Sequence, residues 1–387
     1  MRRHVGSARS AAAVLAALAA GFSPAALAAQ AACAAARDDA RVTAIAEFLD
    51  RIAATAPVWD DFAPANEPVV LAIDTAAFRG APATPACTLV WRARRGLQLV
   101  ELTRLPPLST PLYGFADLTR PGPRADPTAD GSIRRSRLLP AEDQERLRAA
   151  GVARAAVLPV PLDLSRLGQF GEMLKRANVD PGLIQAELAV HEGFHLHVQF
   201  PAWLDQERRY AWPAWDVQPD RNAMRTACYA GSPEISAAFG REVDALLAAY
   251  DALFGAGPPD PAAARAAARQ FIGLRGARYR LLDTVTVPQG DRRIGCPLAE
   301  THLELEEGTA QWIGHATLVE AGIRRKDGLR GSYGAPQPDA FYRTGPLQLW
   351  ILDGLFGRDA LHRLTSALAR APGPEAGLFA EFTARLR

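Results

Sequence analysis

Residues 186–200 read AELAVHEGFHLHVQF and carry three of the chain's seven histidines, His191, His195 and His197. Upstream, Asp180-Pro181 has the chemistry of a helix start: an acceptor side chain at the N-cap, then proline in the first turn. Downstream, Pro201 cannot donate to a helical carbonyl and ends the helix at Phe200. On this expected helix His191 and His195, four residues apart, project from one face about 40° apart. Leu188, Phe194 and Val198 supply an apolar face to bury. Two imidazoles so placed reach a single cation at about 2.0–2.1 Å each, as zinc requires. Glu192 follows the first histidine, at the side of the metal, where it can take a proton from an activated water. The pattern is H-E-x-x-H, two ligands and a general base. The competing reading is a pair of structural or solvated histidines. His197 sits about 200° round from His195 and cannot share that ion. Gln199, one turn after His195, either reaches the site edge or caps the helix.

A catalytic zinc takes three protein ligands and leaves a position for water. The metzincin continuation would need glycine at 198 and histidine at 201, where this chain has Val198 and Pro201, and is excluded. A distant glutamate is the alternative, and HLELEEGTAQW (302–312) offers Glu304, Glu306 and Glu307.

With H-E-x-x-H and the downstream E-G-x-A of EEGTAQW, the sequence resembles the gluzincin type of zinc metallopeptidase. That resemblance implies His191, His195 and Glu307 as zinc ligands and Glu192 as general base. Gly308 beside Glu307 has no side chain, so the active-site helix could approach closely there. Glu304, one turn earlier, is the second choice for the ligand. Glu306 points about 100° away from Glu307 and reads as solvated or as a salt-bridge partner. The related N-E-x-x-x-D pattern would place aspartate at 311, where Gln311 stands. Gln311 or Glu304 is then the expected acceptor for an imidazole N–H, which such ligands normally need. The same resemblance, through Tyr342-Arg343-Thr344-Gly345, offers Tyr342 as a donor to the charge developing on a substrate carbonyl. His315, two turns after Glu307, is a weaker candidate for that role.

The first half of the chain differs. Short β-branched or alternating runs at 68–74, 87–93, 97–103 and 155–163 read as strands. The Pro-, Gly-, Asp- and Arg-rich stretch 119–136 reads as an exposed loop. Amphipathic segments at 234–255, 261–284, 297–322 and 346–356 read as helices. The expected fold is α+β and zincin-like: a strand-rich part over 29–165, then a mainly helical, zinc-holding part over 166–387. Trp203, Tyr210, Trp212 and Trp215 fall in the segment after the histidine helix; they line a groove or form a small core of their own.

Residues 1–28 have a basic start, a short apolar run and Ala26-Leu27-Ala28, the layout of a cleaved export signal. The run is well short of the roughly 20 residues that span a bilayer, so stable membrane insertion is not expected. Removing those residues takes three arginines from 44 basic residues and leaves 41 against 42 acidic ones. That balance does not suggest nucleic acid as a partner. Four cysteines in an exported chain read as disulfides, and of three possible pairings the spacing favours Cys33–Cys87 and Cys228–Cys296. No G-x-S-x-G and no phosphate-binding glycine loop is present. The sequence thus leads to a secreted or periplasmic zinc hydrolase, foremost a peptidase acting on peptides or proteins. The alternatives are a non-peptidase amide or ester hydrolase, or an inactive binding protein on the same scaffold.

Overall fold

A computed structural model describes residues 33, 35–59, 62–73, 87–102, 114–118, 140–160, 180–199, 218–334, 339–359, 361 and 377–387. The export signal, the 119–136 loop, the position 165 boundary and the aromatics at 203, 210, 212 and 215 lie outside these residues. The chain divides into two compact units, one of residues 1–49, 68–120 and 136–185, the other of 50–67, 121–135 and 186–387.

The first unit is built on a five-stranded sheet. Its elements are α1 (Ala40–Ala53, most of which belongs here), β1 (Val69–Ile73), β2 (Cys87–Arg92), β3 (Gly96–Glu101), β4 (Gly114–Asp117), α2 (Ala141–Ala149) and β5 (Arg154–Val160). The strand order is β3-β2-β1-β5-β4; β1 and β5 pair in parallel and the other neighbours are antiparallel. All five residues of VVLAI in β1 are buried, as a central strand covered on both faces requires. Val70, Val90, Val100 and Val157 pack with Leu147 of α2 into one core. A disulfide joins Cys33 to Cys87 at the start of β2, with Cα atoms 5.5 Å apart. Gln185, early in α3 (Pro181–Phe194), donates its side-chain amide to the Pro159 carbonyl of β5.

The second unit contains the remainder of α3, which is buried at every position from Ala189 to Leu196. Leu188 and Val198 are only half-buried, so the helix is enclosed rather than covered on one stripe. At His195–Gln199 the helix widens into a π-helical turn. There follow α4 (Arg221–Met224), α5 (Pro233–Phe254), α6 (Pro261–Leu281), the hairpin β6 (Thr286–Gln289) and β7 (Arg292–Gly295), and α7 (Cys296–Leu303). Further π turns lie at Arg225–Tyr229, after α4, and at Glu304–Gly308, which joins α7 to α8 (Thr309–Glu320); α9 (Lys326–Gly334), α10 (Phe341–Phe356) and α11 (Leu378–Leu386) complete the unit. Local chemistry sets several starts: Asp220, Ser232 and Asp260 each accept an amide N–H from the first turn of α4, α5 and α6, and prolines open α5 and α6. Cys228–Cys296 is disulfide-bonded, giving the expected pairing.

The α+β expectation holds, with a mixed sheet in the N-terminal half and helices after it. Three strands had no sequence expectation: β4 and the β6–β7 hairpin are four residues each, too short for a clear alternation. The final expected helix begins five residues earlier, at Phe341, and carries Pro346 beyond its first turn. Among the described residues no helix is long and apolar enough to cross a membrane.

A buried ionic network runs through the helical unit. Arg275 and Arg278 of α6, Glu242 of α5, Glu300 of α7 and Glu304 have no exposed surface. Arg278 Nη2 bonds Glu300 at 2.8 Å and Glu242 at 3.0 Å, and Arg275 Nη1 bonds both Glu304 oxygens at 2.8 Å. Glu304 also accepts from Thr344 and from Gln348 Nε2, the latter at 3.0 Å, both on α10.

Candidate metal centre

Of three π turns among the described residues, two carry candidate ligands, while His191 lies on α3. His195 opens one of the two and Glu307 lies within the other; such widened turns recur at functional sites. His195 Nε2 lies 3.1 Å from His191 Nε2, and Glu307 Oε2 lies 3.3 Å from His191 Nε2 and 3.6 Å from His195 Nε2. These three donors, 116 residues apart at the extremes, form the group among the described residues that could hold a metal ion. His191, Glu192, His195 and Glu307 are each at most 4 % exposed, so their charges act in a poorly screened setting.

The structure then sorts the remaining candidates. Glu304, the second choice for the ligand, is turned into the ionic network and bound by Arg275, Thr344 and Gln348. Burial, with Glu300 alongside, holds its carboxyl above the usual range despite Arg275. Gln311 is not the imidazole acceptor expected at that position, for it bonds Glu187 and His315, each at 2.9 Å. The acceptor at His195 is Gln199, with Oε1 2.5 Å from Nδ1. Glu306 is buried, not solvated; its oxygens meet His302 at 3.0 Å and Gln218 at 2.9 Å. His315 packs away from the ligand group, against Tyr333 and Glu187. His197 stays out of the cluster and pairs with Glu67 at 2.8 Å.

Two contributors were not legible as site residues. Gln218 donates to Glu307 Oε1 at 3.1 Å, and Arg221 Nη2 also bonds that oxygen. Oε1 is thereby held by the protein, while Oε2 faces the imidazoles and accepts from the Tyr342 hydroxyl at 2.8 Å. The helix-start signal at Asp220 marks where these residues fall, but nothing local says that they face Glu307.

Electrostatics follow from this crowding. Burial disfavours the charged form of His195, but the Glu307 hydrogen bond and the charges of Glu307, Glu192 and Glu306 outweigh it and lift the imidazole to about 9. Burial pushes His191 down, and the charge of His195 adds to that effect. Burial resists ionisation of Glu307, yet Arg221 and the two histidines hold it well below the usual carboxylate range. At Glu192 burial, with Glu307 and Glu306 adding to it, outweighs the opposing charges of His195 and Arg221 and lifts the carboxyl to about 8; its Oε2 is buried with no hydrogen-bond partner. Its other oxygen lies 4.0 Å from His191 Nε2.

A glycine contact explains how Tyr342 reaches Glu307. A Cβ on Gly308 would lie 2.8 Å from the Gly345 Cα, and one on Gly345 would lie 2.7 Å from the Gly308 Cα. The Glu304–Gly308 turn and α10 therefore touch backbone to backbone, so the close approach at Gly308 is made by α10 and not by the histidine helix as expected, and Tyr342, one turn before Gly345, reaches the carboxylate. Gly308→Ala should force these backbones apart. We expect it to lower thermal stability by an overpacking cost of about 1–3 kcal/mol. It should also shift the Tyr342 ring, read as a change in Tyr342 side-chain NMR signals. A stability equal to wild type would refute the close approach.

Compared with known protein families, curated proteins and solved structures, the chain matches none.

Proposed function

We propose that the chain is an exported zinc hydrolase of the gluzincin type, foremost a metallopeptidase. The observation that carries this reading is the buried triangle of His191, His195 and Glu307 with the Glu192 carboxyl at its edge, one oxygen unpartnered. The triangle fits zinc dimensionally. Bonds of about 2.0–2.1 Å in a tetrahedron give donor separations of about 3.3–3.4 Å, against 3.1, 3.3 and 3.6 Å here. The donor set, two imidazoles and one carboxylate, is also that of catalytic zinc sites.

Zinc, when bound, supplies Lewis-acid polarisation and makes water a nucleophile near neutral pH. The chain's own residues do the rest. Glu192 takes the proton of the attacking water and passes it to the leaving amine. Burial holds the Glu192 carboxyl at about 8, and a cation bound beside it would lower it towards the ionised form that a base needs. The Tyr342 hydroxyl, already a donor at the cluster, meets the charge that develops on the substrate carbonyl. Gln218 and Arg221 keep Glu307 Oε1 occupied, so that Oε2 is the oxygen turned to the ion. The two disulfides suit an oxidising, exported compartment.

Metal analysis of purified protein, paired with cleavage of a peptide library before and after chelation, tests the reading. We expect about one equivalent of zinc and turnover that chelation removes and zinc restores. Absence of tight zinc binding would end the proposal; zinc without peptide turnover would move it to another amide or ester. The pH dependence has a definite sign. Zinc must displace the proton held by His195 up to about 9. Affinity should therefore rise with pH to about that value, near tenfold per unit where one proton is displaced, and weaken below it. Calorimetry in buffers of different ionisation heat would count the released proton.

A further inference from the structure

His195 turns Nε2 towards His191 and Glu307, so its other nitrogen, Nδ1, decides the ring's tautomer. That nitrogen faces Gln199 Oε1 at 2.5 Å. An amide has two chemically different ends, and which end faces the ring follows here from the rest of the network. Gln199 Nε2 lies 3.2 Å from the Leu305 carbonyl and 3.1 Å from the Glu306 carbonyl. Main-chain carbonyls only accept, so the atom facing them must be the NH2 group and the atom facing His195 must be the oxygen. The oxygen only accepts in turn. Nδ1 therefore carries a proton, and in the neutral ring the Nε2 lone pair points at the cluster.

The two carbonyls belong to the π turn that carries Glu307, one and two residues ahead of it. One buried side chain thus touches both halves of the site, the ring of the second histidine and the backbone that delivers the distant carboxylate. Glutamine is suited to this position among the residues of its size. Glutamate would retain the acceptor but place negative charge against two carbonyls; leucine would provide neither contact.

On the basis of the metal reading above, we propose that Gln199 is a positioning residue. It sets the His195 tautomer and the separation between the histidine pair and Glu307, and so takes the place that Gln311 would have held. The consequence is a site whose two distant sequence segments are tied before any ion arrives.

The test measures zinc dissociation constants by competition with a chromophoric chelator, for wild type, Gln199→Leu and Gln199→Glu, together with the visible spectrum of each Co²⁺-loaded protein. Loss of an outer hydrogen bond to a metal ligand typically weakens affinity about 10–100-fold, the range expected for Gln199→Leu. Gln199→Glu should recover part of that loss, because it restores the acceptor at Nδ1 without the donor to the carbonyls. The Co²⁺ spectrum of Gln199→Leu should shift as the ligand geometry relaxes. Zinc affinity of Gln199→Leu within twofold of wild type, with an unchanged Co²⁺ spectrum, would overturn the assignment. Should the leucine variant not fold, Gln199→Glu decides alone: affinity equal to wild type would show that the carbonyl contacts position nothing. A wild-type protein that binds no zinc would instead remove the metal reading itself, a separate result.

Discussion

Glu192→Gln should lower peptide turnover by about 10²–10⁴-fold, the usual contribution of a general acid–base group, and leave zinc content near one equivalent. The substitution is close to isosteric, so burial and packing are retained. It removes the proton acceptor on which the proposed chemistry depends. The carboxyl stands 4.0 Å from His191 Nε2, outside the three-donor group, and its Oε2 has no hydrogen-bond partner. A buried acceptor without a partner costs about 1–3 kcal/mol, a cost a purely structural residue would have no reason to bear. Glutamine cannot accept and return a proton, so kcat and kcat/KM should fall together, the mark of an interaction made in the transition state. Equal activity in the variant and wild type would sink the proposed chemistry. Zinc lost along with activity would mean that Glu192 is instead needed to build the site.

The second large effect lies away from the ligands. Arg275→Met should destabilise the protein by about 3–5 kcal/mol, because it strands carboxylates that are buried and paired in the native state. Arg275 bonds Glu304 and lies 3.1 Å from Glu242 and 3.2 Å from Glu300, all without exposed surface. Three carboxyls face two guanidiniums there, and loss of one cation leaves Arg278 to balance all three. The change reaches the site because Glu304 opens the turn that carries Glu307 and receives Thr344 and Gln348 from the helix of Tyr342. Weakened zinc affinity is therefore expected together with the lower midpoint. Glu304→Gln is the contrast. Burial already raises that carboxyl, so a neutral amide in its place should cost clearly less than Arg275→Met. Chemical denaturation of the three proteins checks the order. A loss under about 1 kcal/mol for Arg275→Met would mean that the network adds little, as exposed ion pairs do.

Much of this was written locally in the chain. The histidine helix, the long helices α5 and α6 and four of the strands follow from periodicity and stop signals that need no distant partner. Cysteine pairing followed from an even count and a spacing that puts one pair in each half of the chain. The last helix read as 346–356, which left Tyr342 outside it; in the structure α10 begins at Phe341 and runs through Pro346. Glu306 illustrates the same limit. Its offset from Glu307 suggested solvent or a salt-bridge partner; it is buried against His302 and Gln218, and no local pattern reports a neighbour 88 residues away.

The sequence by itself determined which residue types lie four apart on one helix, which glutamate is followed by a glycine, and hence a short set of candidate ligands. The resemblance puts Glu307 first and Glu304 second. That Glu307 meets the two histidines while Glu304 turns into the ionic network, and that Gln199 rather than Gln311 or Glu304 meets the imidazole, were decided only by tertiary structure. The physical reason is the pair of π turns and the Gly308–Gly345 contact. A widened turn changes the direction of every side chain after it by an amount that ideal helical spacing does not contain. Where two backbones then meet at van der Waals distance decides which carboxylate faces the histidines.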